Sequence, residues 1–322
     1  MSKEIELKMV SSPASIKSAL PELLKKLDAK DIKEAWLVNR YFDTDDLLLN
    51  KACIALRVRE KGGRFIQTLK TKGETIGGLS QRGEWEWEVP ESKIDVARLH
   101  EGGWPKNIPA EGLVEVFETN FKRTSAVVEL KRGKVELAVD DGYILVGGVK
   151  SSLSEVEVEL IDGDINVLFE VAEIVARTMP VMLADVSKAE KGYRLRSSSL
   201  LAPFSFSFDC EGRYQEYVKA LVSRNLSRWL CLVDRVGVEC SRRLLLEMVG
   251  VLTTLREIIC TYQYVDCSKS VSLAVMFDQE LESLGVLVER VMSGESLTVQ
   301  RLISSGRAGV LSIELSRWLR TV

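Results

Sequence analysis

The chain reads as an α+β protein: a segment of short antiparallel strands with flanking amphipathic helices, followed by an all-helical segment. Three observations carry that reading. Between Leu37 and Leu160, apolar and charged residues alternate repeatedly with the two-residue period of strands. Turn sequences such as Lys61-Gly62-Gly63, Lys131-Arg132-Gly133-Lys134 and Asp141-Gly142 separate the runs, as hairpins require. From about Asp209 onward the alternation stops, and long stretches rich in Leu, Val, Arg and Glu take over.

The elements follow in order. Glu4-Ile5-Glu6-Leu7-Lys8 is a strand with Glu4, Glu6 and Lys8 on one face and Ile5 and Leu7 on the other. Ser11-Ser12-Pro13 then offers a hydroxyl cap and a proline at a helix start, and Ile16, Leu20, Leu23, Leu24 and Leu27 recur at helical spacing. Strands are predicted at 37–43, 54–60, 65–70, 84–89, 125–130, 135–139, 144–146 and 155–160. Asp162-Gly163-Asp164 introduces a second helix, with Val167, Leu168, Val171, Ile174 and Val175 on one side. Ser197 to Ser199 and Pro203 read as a linker. Beyond it, breaks near Gly237, Cys267 and Gly294 divide the remainder into four antiparallel helices. The boundaries are therefore 1–200 for a strand-rich domain and 204–322 for a helical one.

Composition sets the limits on function. With 322 residues, 46% hydrophobic and 28% charged, the chain has material for about two domains with sizeable cores. A net charge of −3 gives no global attraction to nucleic acid or to an acidic membrane, so any polyanion must meet a local concentration of Arg and Lys. No run approaches about 18 uninterrupted apolar residues, and the N-terminus enters an acidic strand without an apolar leader. The six cysteines lack C-x-x-C spacing and read as buried reduced thiols, which points to the cytoplasm.

The recurring charged face admits two arrangements. In one, the charges meet water and the apolar face meets a core. In the other, the sheet curls into a barrel, the charges line its lumen and helices cover the outside. Sorted by sign, the lumenal set of the second arrangement separates into two tasks. Lys8, Arg57, Arg59, Lys70, Arg82 and Arg123 form a cationic corridor whose guanidinium forks suit phosphate oxygens. Glu4, Glu6, Asp140, Glu155, Glu157 and Glu159 gather carboxylates whose mutual repulsion a hard divalent cation relieves, Mg²⁺ or Mn²⁺ being the natural choice.

Other chemistries fit poorly. The single histidine, His100, falls in a predicted loop without ligand-spaced partners, which argues against zinc and against a histidine-dependent nucleophile. No P-loop is present, and Gly77-Gly78 reads as a turn rather than a phosphate cradle. Trp85 and Trp87, opposite Glu84, Glu86 and Glu88, read as outer packing rather than base-stacking platforms.

The ordered motifs resemble a known family. Glu4-Ile5-Glu6-Leu7-Lys8 is similar to the E-x-E-x-K signature of CYTH domains, the triphosphate tunnel metalloenzymes. The resemblance continues through Tyr41-Phe42-Asp43-Thr44, Leu56 to Arg59, Thr68 to Lys70, Gly77 to Arg82, Thr119 to Arg123, Glu136 to Asp140, Glu155 to Glu159 and Ser187 to Tyr193. It implies an eight-stranded antiparallel tunnel that hydrolyses tripolyphosphate to pyrophosphate and phosphate with Mg²⁺ or Mn²⁺. It further implies Glu4, Glu6, Asp140, Glu157 and Glu159 as the metal side, and Lys8, Arg57, Arg59, Lys70, Arg82, Arg123 and Lys188 as the phosphate side. Glu4, Glu6, Lys8 and Glu157 are the catalytic candidates, with Glu84, Glu136 and Glu155 as further members without a fixed role.

Within the superfamily the chain most resembles bacterial inorganic triphosphatases in which the tunnel domain precedes a helical CHAD domain. Here the helical segment is short, and from Asp209 it carries twelve Arg, two Lys and no His. Polyphosphate binding by this half is accordingly not carried over; support of the tunnel or self-association is the alternative. Thiamine triphosphate, nucleoside triphosphates and adenylyl cyclisation are the competing activities of the superfamily, and a non-catalytic polyphosphate binder is the rival from another class. No specific nucleic acid and no membrane partner are expected.

Overall fold

Strand β1 (Ser2–Val10) has partners along both edges, and that turns the sheet into a tube. The computed structural model describes residues 2–197, 214–236, 241–265, 271–295 and 298–320. Helix α1 (Pro13–Lys26) starts where the sequence signals it: Ser12 Oγ accepts from the Ser15 N–H at 3.0 Å, and Pro13 opens the first turn. Ile16, Leu23 and Leu27 are buried, with Leu20 and Leu24 packed beside them. The chain continues through β2 (Lys30–Asp43), α2 (Leu48–Lys51), β3 (Ala55–Lys61), β4 (Arg64–Lys70), β5 (Glu74–Ile76) and β6 (Leu79–Val89). After α3 (Val96–Glu101) come β7 (Val114–Leu130), β8 (Gly133–Val146), β9 (Val149–Gly163), α4 (Asn166–Thr178), β10 (Met182–Leu183) and α5 (Lys188–Ser197).

Eight strands close in the order β1-β9-β8-β7-β2-β3-β4-β6, with the antiparallel β1–β6 pairing sealing the ring. Closure removes the edge along the ring itself, while the projecting start of β2 pairs with β7 alone. Gly62-Gly63, Gly77-Gly78 and Gly147-Gly148 make two-residue turns with both φ angles positive, the geometry that matches strand twist in a tight hairpin. The sequence anticipates the first two. In place of the third it puts a turn at Asp141-Gly142, but β8 runs straight through that pair, so the predicted strands 135–139 and 144–146 are one. Gly142 is there for closeness: a Cβ on it would lie 2.1 Å from the Asn120 carbonyl oxygen of β7.

Four strands, β2, β6, β7 and β9, begin well before the predicted positions, β2 and β7 by the most. The first half of β2 is exposed along both faces, so Lys30 to Trp36 shows no apolar alternation to read. In β7, the stretch from Val114 mixes polar and apolar residues on its faces because its inner side lines a polar lumen. His100 lies in the short helix α3, not in a loop, and is exposed. Trp85 and Trp87 pack outside the barrel in a small core with Leu56, Leu69 and Leu99, as alternation predicts. The thiols depart from expectation: Cys53 is exposed and Cys231 and Cys260 half-buried, all three free. The other cysteines lie outside the described residues.

The helical segment forms α6 (Tyr214–Val236), α7 (Arg242–Val265), α8 (Val271–Met292), α9 (Val299–Ile303) and α10 (Arg307–Trp318). The predicted fourth helix is thus two pieces, divided at Gly306 with φ +70°. Gly294 ends α8 as foreseen; the linker residues beyond Ser197 and the breaks near Gly237 and Cys267 lie outside the described residues. These helices share a core with the barrel: Leu7 and Val156 belong to the same buried cluster as Leu226, Leu252 and Leu311. Leu226 of α6 and Ser316 of α10 close over the Gly77-Gly78 turn, which leads directly into β6. No described helix is long and apolar enough to cross a membrane.

Candidate active site in the tunnel

The lumen holds a cavity of ≈ 200 Å³ whose walls are almost entirely charged. Strand register explains why. Glu6 pairs across to Glu159, and Glu159 to Glu136, so three carboxylates stand abreast on β1, β9 and β8. One pleat further along, Lys8 faces Glu157. In the other direction Glu4 faces Arg82, and Glu84 faces Lys70. A one-residue slip in any strand would turn its charges outward into apolar packing, so burial of the outer face fixes the lumenal set.

Along most of the wall, carboxylates and cations neutralise one another. Lys70 Nζ lies 2.6 Å from Glu4, and Arg82 bridges Glu4 at 2.8 Å and Glu6 at 2.9 Å. Lys8 sits between Glu6 at 3.6 Å and Glu157 at 3.5 Å. Burial alone would raise the Glu4 carboxyl, but Lys70 and Arg82 outweigh it and hold it at about 2. Burial likewise opposes the charge on Lys8, yet Glu6, Glu157 and Glu155 leave its ammonium above the usual range.

Two places break the balance. Neither Glu136 nor Glu159 has a cation within 4.0 Å among the described residues. Burial, reinforced by Glu4, Glu6 and Glu84, pushes the Glu159 carboxyl up to about 7. On β3 the excess is positive. Arg59 Nε donates to the neutral Asn39 side chain at 2.8 Å, Arg57 is no closer than 4.0 Å to Glu84, and the buried Arg57 Nε has no partner. Burial and the neighbouring Arg57 and Arg123 lower the Arg59 guanidinium to about 9. The cavity thus has a carboxylate-rich pole and a guanidinium-rich pole.

Helix α5 closes one end. Lys188, its first residue, reaches 2.7 Å from Glu157, 2.7 Å from Glu155 and 2.9 Å from Asp140. The helix is pinned by Tyr193, whose hydroxyl donates to Asp43 at 2.8 Å, and by Arg194, which meets Asp234 of α6 at 2.7 Å. Asp43 also accepts from the Leu49 and Asn50 N–H groups, satisfying the open start of α2.

All the sequence-predicted site residues line this cavity except Asp140. Its carboxylate is fully buried behind the wall, gripped through both oxygens by Arg123 at 2.7 Å and by Lys188. It shares the inward face with its cross-strand partner Arg123 but lies beneath that side chain, and so orients two cavity cations without itself lining the cavity. Glu155 is also set back, between Lys188 and Lys191 at 2.6 Å. Sequence reading missed Tyr41, Glu86 and Ser187, which line the cavity. Parity along the strands would find the first two: Tyr41 alternates with Asn39 and Asp43, and Glu86 with Arg82 and Glu84. Ser187 lies outside any strand and carries no such signal.

The lumenal donors suit a hard cation. Carboxylate oxygens are the right ligands, and the Glu6–Glu159–Glu136 row carries repulsion that a cation would relieve. No three carboxylates among the described residues already converge on one point, because Lys8, Lys70 and Arg82 hold Glu4 and Glu6 aside. The residues fit a divalent ion whose arrival, with an anion to engage the cations, exchanges these partners.

A closed antiparallel barrel with a lumen of both signs, carboxylates grouped on β1, β8 and β9, defines a class of charged-tunnel proteins. The CYTH domain matches residues 2–193, and the chain belongs to that family. An inorganic triphosphatase of Haemophilus influenzae is 34% identical over 202 residues, covering 62% of this chain and 57% of that protein. The chain therefore spans little more than half of that relative's length. Among solved structures, an adenylyl cyclase candidate from Hippeastrum with a dominant triphosphatase activity aligns at 20% identity with a TM-score of 0.45, covering 62% of this chain and 97% of that one. The PH1819 protein of Pyrococcus horikoshii aligns at 21% identity with a TM-score of 0.40, covering 60% and 99%. At those values neither structure bears on the chemistry.

Proposed function

We propose that this protein is a divalent-metal-dependent inorganic triphosphatase, converting tripolyphosphate to pyrophosphate and phosphate inside the tunnel. The observation that carries the reading is the coexistence, in one small cavity, of two carboxylates, Glu136 and Glu159, with no described cation within 4.0 Å, and a guanidinium pair, Arg57 and Arg59, with no described carboxylate nearer than the 4.0 Å between Arg57 and Glu84. An anion binder alone gains nothing from Glu136 and Glu159. A metal–triphosphate complex satisfies both poles at once.

Glu4, Glu6, Glu157 and Glu159 would hold Mg²⁺ or Mn²⁺, with Asp140 acting from behind through Arg123 and Lys188. When bound, the ion spreads the negative charge that builds on the transferring phosphoryl group. Lys8, Arg57, Arg59, Lys70, Arg82, Arg123 and Lys188 would grip the phosphate oxygens, the arginines through forked donors. In the free protein all of these cations except Arg57 and Arg59 are parked on carboxylates, so binding trades one set of partners for another. The cavity wall has little apolar surface; Tyr41 is its one aromatic residue among the described ones, which favours a phosphate chain over a substrate carrying a base or a thiazolium ring.

The same reading places the protein in the cytoplasm, consistent with its free thiols, and assigns 204–322 to a helical domain that braces the tunnel. The test is a substrate panel of tripolyphosphate, thiamine triphosphate and ATP with Mg²⁺, Mn²⁺ or chelator, scored by product identity. Tripolyphosphate should lead, and only with metal. Cyclic AMP from ATP, or phosphate release in chelator, would refute the assignment.

A further inference from the structure

The cavity has a floor and a rim. Ser187 and the first residues of α5, Lys188 and Ala189, make the floor. Strand register locates the rim. β6 runs antiparallel to β1 with Glu84 opposite Ser2, so from Trp85 onward β6 projects past the first residue of β1, away from Lys8 and α5. Glu86 lies on that projecting stretch, on the inward parity of Arg82 and Glu84. Of the described residues that line the cavity, it is the only exposed one.

This rim carboxylate is held in place. Thr68, directly across on β4 and fully buried, donates its hydroxyl to Glu86 Oε1 at 3.1 Å. Among the described residues no cation lies within 4.0 Å of Glu86. Its charge nonetheless reaches the guanidinium pole: burial opposes the charge on Arg57 and Arg59, and Glu86 is among the groups that offset it. One pleat further out on the same strand face comes Glu88, exposed and opposite Ile66. A polyanion that extends outward from Arg57 and Arg59 along β6 therefore passes fixed negative charge.

We propose that Glu86 selects for chain length, admitting a triphosphate that ends at the guanidinium pole and disfavouring a longer linear polyphosphate, whose further phosphates must lie beside the rim carboxylate. The assignment rests on the triphosphate reading and deepens it. Each added phosphate brings more negative charge to a place where water weakens the repulsion without abolishing it, so the discrimination is several-fold and salt screens it.

Glu86→Gln removes the charge and keeps an oxygen for Thr68. Calorimetric titration in chelator should show the wild type favouring tripolyphosphate over tetrapolyphosphate. In Glu86→Gln at low salt, the ratio of tetrapolyphosphate to tripolyphosphate affinity should rise about threefold to tenfold, and with metal the ratio of kcat/KM values should rise in parallel. Glu86→Asp should keep most of the wild-type preference, and about 0.5 M salt should shrink the difference between wild type and Glu86→Gln. A general loosening of the barrel would lower both affinities together and leave the ratio where it was.

An unchanged ratio in a folded Glu86→Gln protein, or a rise no smaller at high salt, overturns the proposal. So does a selective loss of ATP affinity in that variant, which would make Glu86 an acceptor for a sugar hydroxyl. A wild-type protein that binds both chains, prefers the shorter and cleaves neither refutes the hydrolase reading and leaves Glu86 assigned, provided the ratio rises in Glu86→Gln. Turnover of tripolyphosphate by both proteins with equal ratios does the reverse.

Discussion

The tunnel and the helical segment both carry many ion pairs, but they keep them in different surroundings. In the tunnel, Lys8 and Glu6 are 6% and 4% exposed, and Lys188 and Asp140 are 7% and 0%. In the helices, Arg256 and Asp278 are 31% and 57% exposed, and Arg301 and Glu295 are 53% and 47%. Exposed pairs form at almost no desolvation cost and contribute little. Buried pairs lose in desolvation most of what they gain in attraction, and well-packed apolar residues would stabilise the barrel as well. A protein that buries a lumen of charge therefore retains it for a ligand. The helical segment gives the complementary lesson: its arginines are surface partners, and its contribution is the apolar core it shares with the barrel.

Predictions that would break or sharpen this contrast run from large to small. Glu159→Gln should lower kcat on tripolyphosphate by about a thousandfold, since several kcal/mol of charge stabilisation depends on the metal side; circular dichroism should stay unchanged. Leu226→Ala, at a fully buried position where α6 meets the Gly77-Gly78 turn, should cost about 2–4 kcal/mol in a single cooperative transition monitored in urea. Two separate transitions, with only the second affected, would dissolve the shared core.

Arg57→Ala should raise KM by about tenfold or more with a smaller effect on kcat, measured by steady-state kinetics. The next effect depends on pH. Glu159 is raised to about 7 in the fold, above its unfolded value, so folding takes up a proton and the metal-free protein loses stability as pH rises from the ordinary carboxylate range through about 7. In chelator at about pH 8, Glu159→Gln should therefore be more stable than wild type by about 1–2 kcal/mol, and Mg²⁺ should stabilise the wild type more at that pH than at about pH 6. Glu4, held at about 2, has the opposite sign: its contribution is present above the unfolded value and lost as pH falls toward 2. Smallest of all, Arg256→Ala should leave the urea midpoint and turnover essentially unchanged.

Much of the lumen was legible because a strand's period is fixed. Glu4, Glu6 and Lys8 share a parity, and so do Arg57 and Arg59 or Glu157 and Glu159; if one member faces inward the others follow. Helices and setbacks escape that rule. Lys188 is the first residue of a helix and was reached only through family resemblance, and Asp140 has the correct parity yet sits too deep, under Arg123. Tyr41 was overlooked because an aromatic residue in a strand reads as packing; its cross-strand pairing with Arg57 puts it on the lumenal face. The early halves of β2 and β7 were illegible for a physical reason: one is wet on both faces, and the other has a polar face on the inside. In Asp141-Gly142, glycine marked a close approach of two strands, and only the neighbouring strand reveals that.

The central claim is that the tunnel's two poles together hold a metal–triphosphate complex and cleave it. Phosphorus NMR of tripolyphosphate incubated with the protein and Mg²⁺ tests this most directly. The tripolyphosphate resonances should give way to pyrophosphate and phosphate in equal amounts, with no change in chelator. Tripolyphosphate that stays intact in the presence of protein and metal, or disappears equally fast in chelator, would contradict the account.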